Sequence, residues 1–170
     1  MKTFPTLLFL FLATIAFSQK EIKSTDSFTI LGEIKSQKTV MLSDLSQWKT
    51  HDIGDVVITN HTGERRGEAK QLKGVLLRDV LESIEIKSES PKQLSELYFV
   101  CKATDGYKVV FSWNEIHNSK VGDAVFIITE KEGKPARQLP ESILLLSPQD
   151  FKTGRRHIKS LQVIEVKRAQ

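Results

Sequence analysis

The residues best suited to binding a ligand form two basic groups. The denser group is KTGRRHIK at residues 152–159, and Arg65 and Arg66 form a second group beside Gly63. Guanidinium groups pair with phosphate and carboxylate oxygens through two parallel hydrogen bonds, and a nearby glycine lets backbone amides approach the same anion. The two groups therefore predict an anionic small-molecule ligand. A solvated basic face is the alternative that the charge alone also allows.

Several common catalytic centres lack their sequence signatures. No G-x-S-x-G motif and no glycine-rich phosphate loop is present, so serine hydrolases and nucleotide-binding folds are not indicated. None of the four histidines has the H-x-H, H-x-x-H or H-E-x-x-H spacing of a catalytic zinc site. These histidines are His51, His61, His117 and His157.

The single cysteine, Cys101, cannot form an internal disulfide or a zinc site that needs two thiolates. It shares one face of a predicted strand with Phe99 and Ala103, since side chains of a strand alternate between two faces. We therefore expect a buried core thiol here, with a metal-ligand role as the less favoured alternative.

Length and composition predict one domain. The chain has 170 residues, of which 39% are hydrophobic and 27% charged, the balance of a globular protein with an ordinary core. The net charge is only +4, whereas nucleic-acid-binding proteins concentrate far more positive charge on one face. We expect no nucleic-acid partner.

The first eighteen residues are predicted to be a secretory signal peptide. Lys2 precedes the apolar run LLFLFLATIAF at residues 7–17, and the small residues Ala16 and Ser18 precede a cleavage site before Gln19. The run would span about 16 Å as a helix, half of a bilayer core, which is too short for a membrane anchor. We therefore expect an exported protein, periplasmic or secreted, with one domain at residues 19–170 and no anchor after cleavage.

The remaining chain reads as many short strands with a few short helices. The helical spacing of apolar residues from Gly74 to Ile84 predicts one helix, and the S-x-x-E capping box at Ser112 and Glu115 predicts a second. Asp105-Gly106 predicts a tight turn between two strands. The pattern indicates an α+β fold with a mostly antiparallel sheet, its strands at residues 28–34, 38–42, 56–59, 97–103, 107–112, 124–129, 143–146 and 160–166.

Taken in order, three motifs resemble the molybdopterin-binding domain of the sulfite oxidase family. The segment GVLLRDVL at residues 74–81 is similar to the family's G-x-x-L-x-D-L-L helix start, and TDGY at residues 104–107 falls in the central hairpin. ILLLSP at residues 143–148, followed by GRRHIKSL at residues 154–161, resembles the G-x-x-x-[VI]-K-W-[LV] segment that lines the pterin site. The resemblance implies the sulfite-oxidase-type molybdopterin-binding fold over residues 28–166.

The resemblance also implies which residues would contact a molybdopterin. The family binds its metal through a cysteine in a C-x-G-N-R-R-like stretch, and His61 holds that position in HTGERR at residues 61–66. A neutral imidazole is not an anionic thiolate, so molybdenum is not expected to bind. The residues implied at the cofactor site are Arg65, Arg66, Arg155, Arg156, His157, Ile158 and Lys159.

Three functional hypotheses follow. The first is a module that binds a pterin-like or other anionic small molecule without molybdenum redox catalysis. The second is a molybdenum cofactor-dependent oxidoreductase, with His61 and Cys101 as the only metal candidates. The third is a ligand-free domain that interacts with an unidentified protein partner.

Overall fold

The structure is a computed structural model that describes residues 22–169. The predicted signal peptide at residues 1–18 lies outside the described residues. Within residues 22–169, ten strands and a few short helices form two five-stranded sheets. The predicted α+β class is therefore confirmed, but the sequence pattern indicated one sheet where the chain forms two.

Sheet 1 has the strand order β2-β1-β10-β5-β6. Its central pair, β1 and β10, is parallel, and its other pairs are antiparallel. The first and last strands of the described chain are thus neighbours. The strands are β1 (Ser27–Gly32), β2 (Lys38–Met41), β5 (Leu97–Ala103), β6 (Lys108–Ser112) and β10 (Leu161–Arg168).

Sheet 2 has the order β3-β4-β7-β8, and a short ninth strand also pairs with β7. All of its pairs are antiparallel. Its strands are β3 (Thr50–Thr59), β4 (Arg65–Leu76), β7 (Phe126–Lys131), β8 (Lys134–Pro135) and β9 (Leu145–Leu146).

The helices are short and connect the strands. The two α-helices are α1 (Leu77–Leu81) and α2 (Trp113–His117). The 3-10 helices span Leu42–Gln47, Pro91–Glu96, Gly122–Ala124, Ala136–Gln138 and Thr153–Arg156. None of the helices in residues 22–169 is long and apolar enough to cross a membrane.

The main core packs between the two sheets. Phe28 from β1, Phe99 from β5 and Ile164 from β10 contribute to it from sheet 1, and Ile127 contributes from sheet 2. A second apolar cluster lies on the opposite face of sheet 2 and includes Ile128, the residue that follows Ile127. Because alternate residues of β7 point to opposite faces, a strand buried on both sides needs the continuous apolar run that the sequence shows.

Two local predictions are confirmed. The Asp105-Gly106 turn joins β5 to β6 in register, with Cys101 opposite Val109. At the start of α2, the Ser112 hydroxyl accepts a hydrogen bond from the Glu115 amide at 3.1 Å, and the Glu115 carboxylate accepts one from the Ser112 amide at 2.8 Å. Both signals depend on residues close in sequence, which is why they can be read without the tertiary structure.

The predicted helix from Gly74 to Ile84 is wrong in its extent. The helix α1 spans only Leu77–Leu81, because Gly74 and Val75 belong to β4 and pair with Ile128 and Ile127 of β7. A Cβ atom at Gly74 would lie 2.6 Å from the Ile127 carbonyl oxygen, so the close approach of the two strands requires glycine. Pairing in the sheet overrides the helical spacing at this point.

Candidate functional site

The end of β3 is where the two predicted basic groups come together. Arg65 begins β4 and lies opposite Thr59 in the β3–β4 pair. The 3-10 helix Thr153–Arg156 packs against the same end, since the Thr153 hydroxyl donates to the Val57 carbonyl at 2.7 Å and accepts from the Thr59 amide at 3.1 Å. The structure thus brings together two segments that are about ninety positions apart in sequence.

Gly154 permits this approach. A Cβ atom at Gly154 would lie 2.0 Å from the carbonyl oxygen of Thr59, which is closer than any side chain can come. Only glycine can therefore occupy the position without moving the 3-10 helix away from β3. A glycine among basic residues predicts the approach of backbone amides to an anion, whereas in the structure Gly154 accommodates the backbone of the protein itself.

The tip of the β3–β4 hairpin is held by one asparagine. The side-chain oxygen of Asn60 accepts hydrogen bonds from the amides of Thr62, Gly63 and Glu64, each at 3.0 Å. Such a turn is ordered by its own side chain and leaves His61 exposed at the tip. No group of three His, Cys, Asp or Glu side chains within residues 22–169 is arranged to hold a metal ion, so His61 has no partner ligands there.

Arg65 and Arg66 have exposed side chains at the start of β4. Their nearest carboxylates are Glu68, 3.0 Å from Arg65, and Glu64, 3.6 Å from Arg66. About two thirds of each guanidinium side chain remains exposed. Exposed ion pairs of this kind contribute little free energy, so both cations remain able to exchange partners for an anionic ligand.

Arg155 is the less compensated of the two arginines in the segment. It is exposed, and within the described residues no carboxylate lies within 4.0 Å of its guanidinium. Its backbone is fixed independently of its side chain, because the Tyr107 hydroxyl donates a hydrogen bond to the Arg155 carbonyl at 2.6 Å. Lys152 is also exposed and lies three residues earlier.

Phe151 is a candidate site residue that the sequence patterns did not identify. Its side chain is fully exposed, between Asp150 and the exposed Lys152. The loop before it is ordered, since the Ser147 hydroxyl donates to the Asp150 carboxylate at 2.9 Å. A phenylalanine in an otherwise polar loop was the available signal, because an isolated apolar residue there has no strand or helix pattern to explain it. We call Arg65, Arg66, Phe151, Lys152 and Arg155 the basic surface.

Arg156 does not belong to the basic surface, although it follows Arg155 directly. Its guanidinium donates to the Asp150 carboxylate through two nitrogens and to the Glu115 carboxylate at 3.0 Å, and it stacks over the Phe111 ring at 4.5 Å. The hydrogen bond to Asp150, together with the negative charges of Asp150 and Glu115, raises the pKa of Arg156 above its usual value, and burial acts in the opposite direction. The two carboxylates neutralise the guanidinium charge within the protein. Arg156 therefore stabilises the local structure and is not available to a ligand.

The next residues of the segment turn into the protein. Ile158 is fully buried in the main core, and its backbone pairs with Leu145. A ligand cannot reach its side chain, so the implied cofactor contact of Ile158 lacks geometric support. Lys159 forms an ion pair with Glu141 at 2.6 Å, and Lys131 approaches the same carboxylate at 3.4 Å.

His157 is mostly enclosed beside this charged group. Burial lowers its pKa to about 4, and the positive charges of Lys159 and Lys131 act in the same direction, whereas Glu141 opposes them. Burial favours the neutral imidazole, which has no charge to solvate. His157 is therefore uncharged at neutral pH and adds no cation for an anionic ligand.

Cys101 lies in the main core on β5, with no exposed surface, as predicted. Burial raises the pKa of its thiol to about 12. The thiolate is the form that binds a metal, and this environment disfavours it strongly. With one cysteine in the chain, the donor set does not fit a molybdenum centre that requires a thiolate ligand.

A substitution at Cys101 tests this assignment. We expect Cys101→Ser to lower the free energy of unfolding by about 1–2 kcal/mol, because the hydroxyl would be buried among apolar side chains with no partner. Ligand binding at the basic surface should not change, and urea denaturation with a binding titration would measure both. Cys101→Ala is the matched control, since it removes the sulfur without adding a polar group. Loss of a bound metal in both variants at unchanged stability would contradict a core role.

Comparison with known proteins gives a structural match and no sequence match. Neither a protein-family model nor a curated protein sequence matches the chain. Among solved structures, a chain of the sulfane dehydrogenase SoxCD from Paracoccus pantotrophus is similar, with a TM-score of 0.56 and 14% sequence identity. The match covers 89% of this chain and 39% of that chain, so this protein spans about two fifths of the SoxCD chain. At this identity the likeness shows a shared fold and nothing finer.

Proposed function

We propose that this chain is a small domain of the sulfite-oxidase-type molybdopterin-binding fold that binds an anionic, pterin-like molecule on its basic surface without molybdenum redox catalysis. The observation that carries the proposal is the junction at the end of β3, where the Arg65 strand and the Thr153–Arg156 helix meet. The shared fold with SoxCD supports the fold assignment, as do the order and spacing of the three sequence motifs.

The basic surface suits a ligand with a negative group and a flat ring. Arg155 and Lys152 are cations without a carboxylate partner within residues 22–169, and Arg65 and Arg66 are only weakly paired. Phe151 directly precedes Lys152 in the chain, and its exposed ring offers an apolar face. Stacking of a flat heteroaromatic ring on an aromatic side chain favours binding by about 1–3 kcal/mol, and guanidinium groups bind phosphate in a bidentate manner.

The chemistry of the metal donors argues against the enzyme alternative. A bound molybdopterin would present its phosphate and its flat ring system to these residues. The metal would still need a thiolate from the protein, and Cys101 is enclosed in the core with its thiol pKa raised to about 12. We derive no redox step for this chain. In keeping with the predicted signal peptide, we propose that the domain works after export.

Charge reversal at Arg155 is the direct test. We expect Arg155→Glu to weaken the binding of pterin-6-carboxylate at least tenfold, because an attractive charge becomes repulsive at the anion. Folding should be preserved, since the hydrogen bond from Tyr107 uses the Arg155 backbone carbonyl. Fluorescence titration measures the affinity, and Lys92→Glu is the matched control with the same charge change at an exposed residue outside the basic surface.

Two further measurements separate the hypotheses. Phe151→Ser should weaken pterin-6-carboxylate more than inorganic phosphate, since only the former has a ring to stack. Protein purified from a host that makes molybdopterin should carry pterin without stoichiometric molybdenum. Stoichiometric molybdenum with turnover of sulfite would overturn the proposal in favour of the oxidoreductase. Equal binding by wild type and Arg155→Glu would overturn the assignment of the ligand to the basic surface. No bound anion at all would overturn the proposal in favour of a ligand-free domain.

A further inference from the structure

A separate cleft of about 290 Å³ lies where the two sheets meet. One wall is the 3-10 helix Leu42–Gln47, which follows β2 of sheet 1. The other wall is formed by β7, β8 and the 3-10 helix Ala136–Gln138 of sheet 2. None of its lining residues belongs to the basic surface. Clefts between packed layers are common positions for small-molecule sites.

The floor of this cleft is apolar. Leu45 and Ala136 are almost fully buried, and Leu42 and Pro135 are partly buried beside them. Covering the exposed parts of Leu42 and Pro135 releases water from apolar surface, which favours binding by about 25 cal/mol for each Å² removed from water. The cleft therefore suits a ligand with an apolar body.

The rim carries one cation and three hydroxyl groups. Arg137 lines the cleft and is exposed, and among residues 22–169 no carboxylate lies within 4.0 Å of its guanidinium. The hydroxyls belong to Ser43, Ser46 and Thr129.

Two acidic residues, Asp44 and Glu130, directly flank lining residues in sequence, but neither lines the cleft. The Asp44 carboxylate accepts hydrogen bonds from the Met41 amide at 2.9 Å and from the Ser43 hydroxyl at 3.4 Å. The Glu130 carboxylate pairs with Lys73 at 2.9 Å. The charge at the rim is therefore positive, with nothing in the lining to neutralise it.

We propose that this cleft binds a small organic carboxylate with a short apolar body. The carboxylate pairs with the Arg137 guanidinium, and the apolar body lies on Leu42, Leu45 and Pro135. A volume of 290 Å³ accommodates about ten non-hydrogen atoms at the roughly 30 Å³ that a water molecule occupies in the liquid. A fatty acid of about eight carbons or a single-ring aromatic acid has this size. For a ligand this small we expect a dissociation constant on the order of 0.1–1 mM.

The probe pair is octanoate and 1-octanol, which share the apolar chain and differ in charge. We expect octanoate to shift the amide NMR signals of residues in the cleft and to bind at least tenfold more weakly to Arg137→Gln. Octanol should bind weakly and equally to both proteins, because it has no charge for Arg137 to pair with. Lys92→Gln is the control, since it removes one exposed positive charge outside both the cleft and the basic surface, and it should bind octanoate as wild type does.

A second variant tests the cleft without touching the charge. Ser46 is exposed on the rim, so Ser46→Phe should fold normally and fill the space, abolishing the octanoate shifts. Arg155→Glu should retain octanoate binding whatever its effect on the binding of pterin-6-carboxylate, so the two proposed sites are tested independently. Octanoate shifts that map outside the cleft, equal affinity in Arg137→Gln, unchanged binding in Ser46→Phe, or no binding up to 10 mM would each overturn the proposal.

Discussion

Acidification from pH 7 to pH 4.5 should lower the free energy of unfolding by about 2–3 kcal/mol through His157 alone. In the folded protein the pKa of His157 is about 4, because the side chain is buried and lies near Lys159 and Lys131. In the unfolded chain an ordinary histidine has a pKa near 6.5. Between these two values the unfolded state binds a proton that the folded state does not.

The sign follows from this difference in proton binding. Stability rises with pH wherever the unfolded state binds more protons, so the contribution of His157 is complete above about pH 6.5 and is lost as the pH falls towards 4. A shift of one pKa unit corresponds to about 1.4 kcal/mol. Most of the loss of stability has therefore occurred by pH 4.5, where the histidine of the unfolded chain is charged and that of the folded protein is largely neutral.

Urea denaturation of wild type and His157→Gln at both pH values would measure the effect. The variant lacks the titrating group, so its stability should fall much less over the same range. The ion-paired carboxylate of Glu141 affects the free energy of unfolding mainly below pH 4.5, since its folded pKa lies below its usual value of 4.5. If both proteins lost the same stability, His157 would not be the buried neutral group that the structure indicates.

Arg156→Ala should lower the free energy of unfolding by about 2–3 kcal/mol and the melting temperature by about 8 °C. The guanidinium lies between Asp150 and Glu115, and about four fifths of its side chain is buried. Removing the cation is unfavourable because the Asp150 carboxylate, whose side chain is only 16% exposed, loses its counter-charge where little water can replace it. The contact with the Phe111 ring is lost as well.

Arg155→Ala is the matched control for this substitution. It removes the same side chain from the neighbouring position, where it is exposed, so we expect a change below about 0.5 kcal/mol. Thermal unfolding followed by circular dichroism distinguishes the two. Arg156→Lys should be intermediate, since lysine keeps the charge but cannot form the two parallel hydrogen bonds to Asp150. Similar losses at both positions would contradict the division of roles between the two arginines.

Local signals predicted the parts of the fold that depend on neighbours in sequence. The capping box at Ser112 and the Asp105-Gly106 turn are examples, and both form as expected. The long strand β4 was not predicted, because RRGEAKQL at residues 65–72 has no regular alternation and is held by pairing with β3. Such pairing depends on residues far away in the sequence, which a local pattern cannot report.

In the candidate site, too, the sequence identified what depends on local residues and not what depends on distant ones. Charge and glycine content identified residues 152–159 as unusual, but they could not distinguish Arg155 from Arg156. The two differ because the tight 3-10 turn directs one outward and the other towards Glu115, which lies forty-one positions earlier in the chain. Phe151 was not identified either, because an isolated phenylalanine in a polar loop suggests exposure but only the structure shows it.

The parallel pairing of β1 with β10 constrains the order in which the protein can assemble. Of the ten described strands, β10 leaves the ribosome last, yet it occupies the centre of sheet 1 between β1 and β5. Until it is inserted, the β1–β2 and β5–β6 hairpins have no partner strand to join them, and the open edges of both can pair with other chains. Completion of this sheet therefore waits until β10 has been synthesised, and chaperones that shield bare strand edges would matter most during that interval.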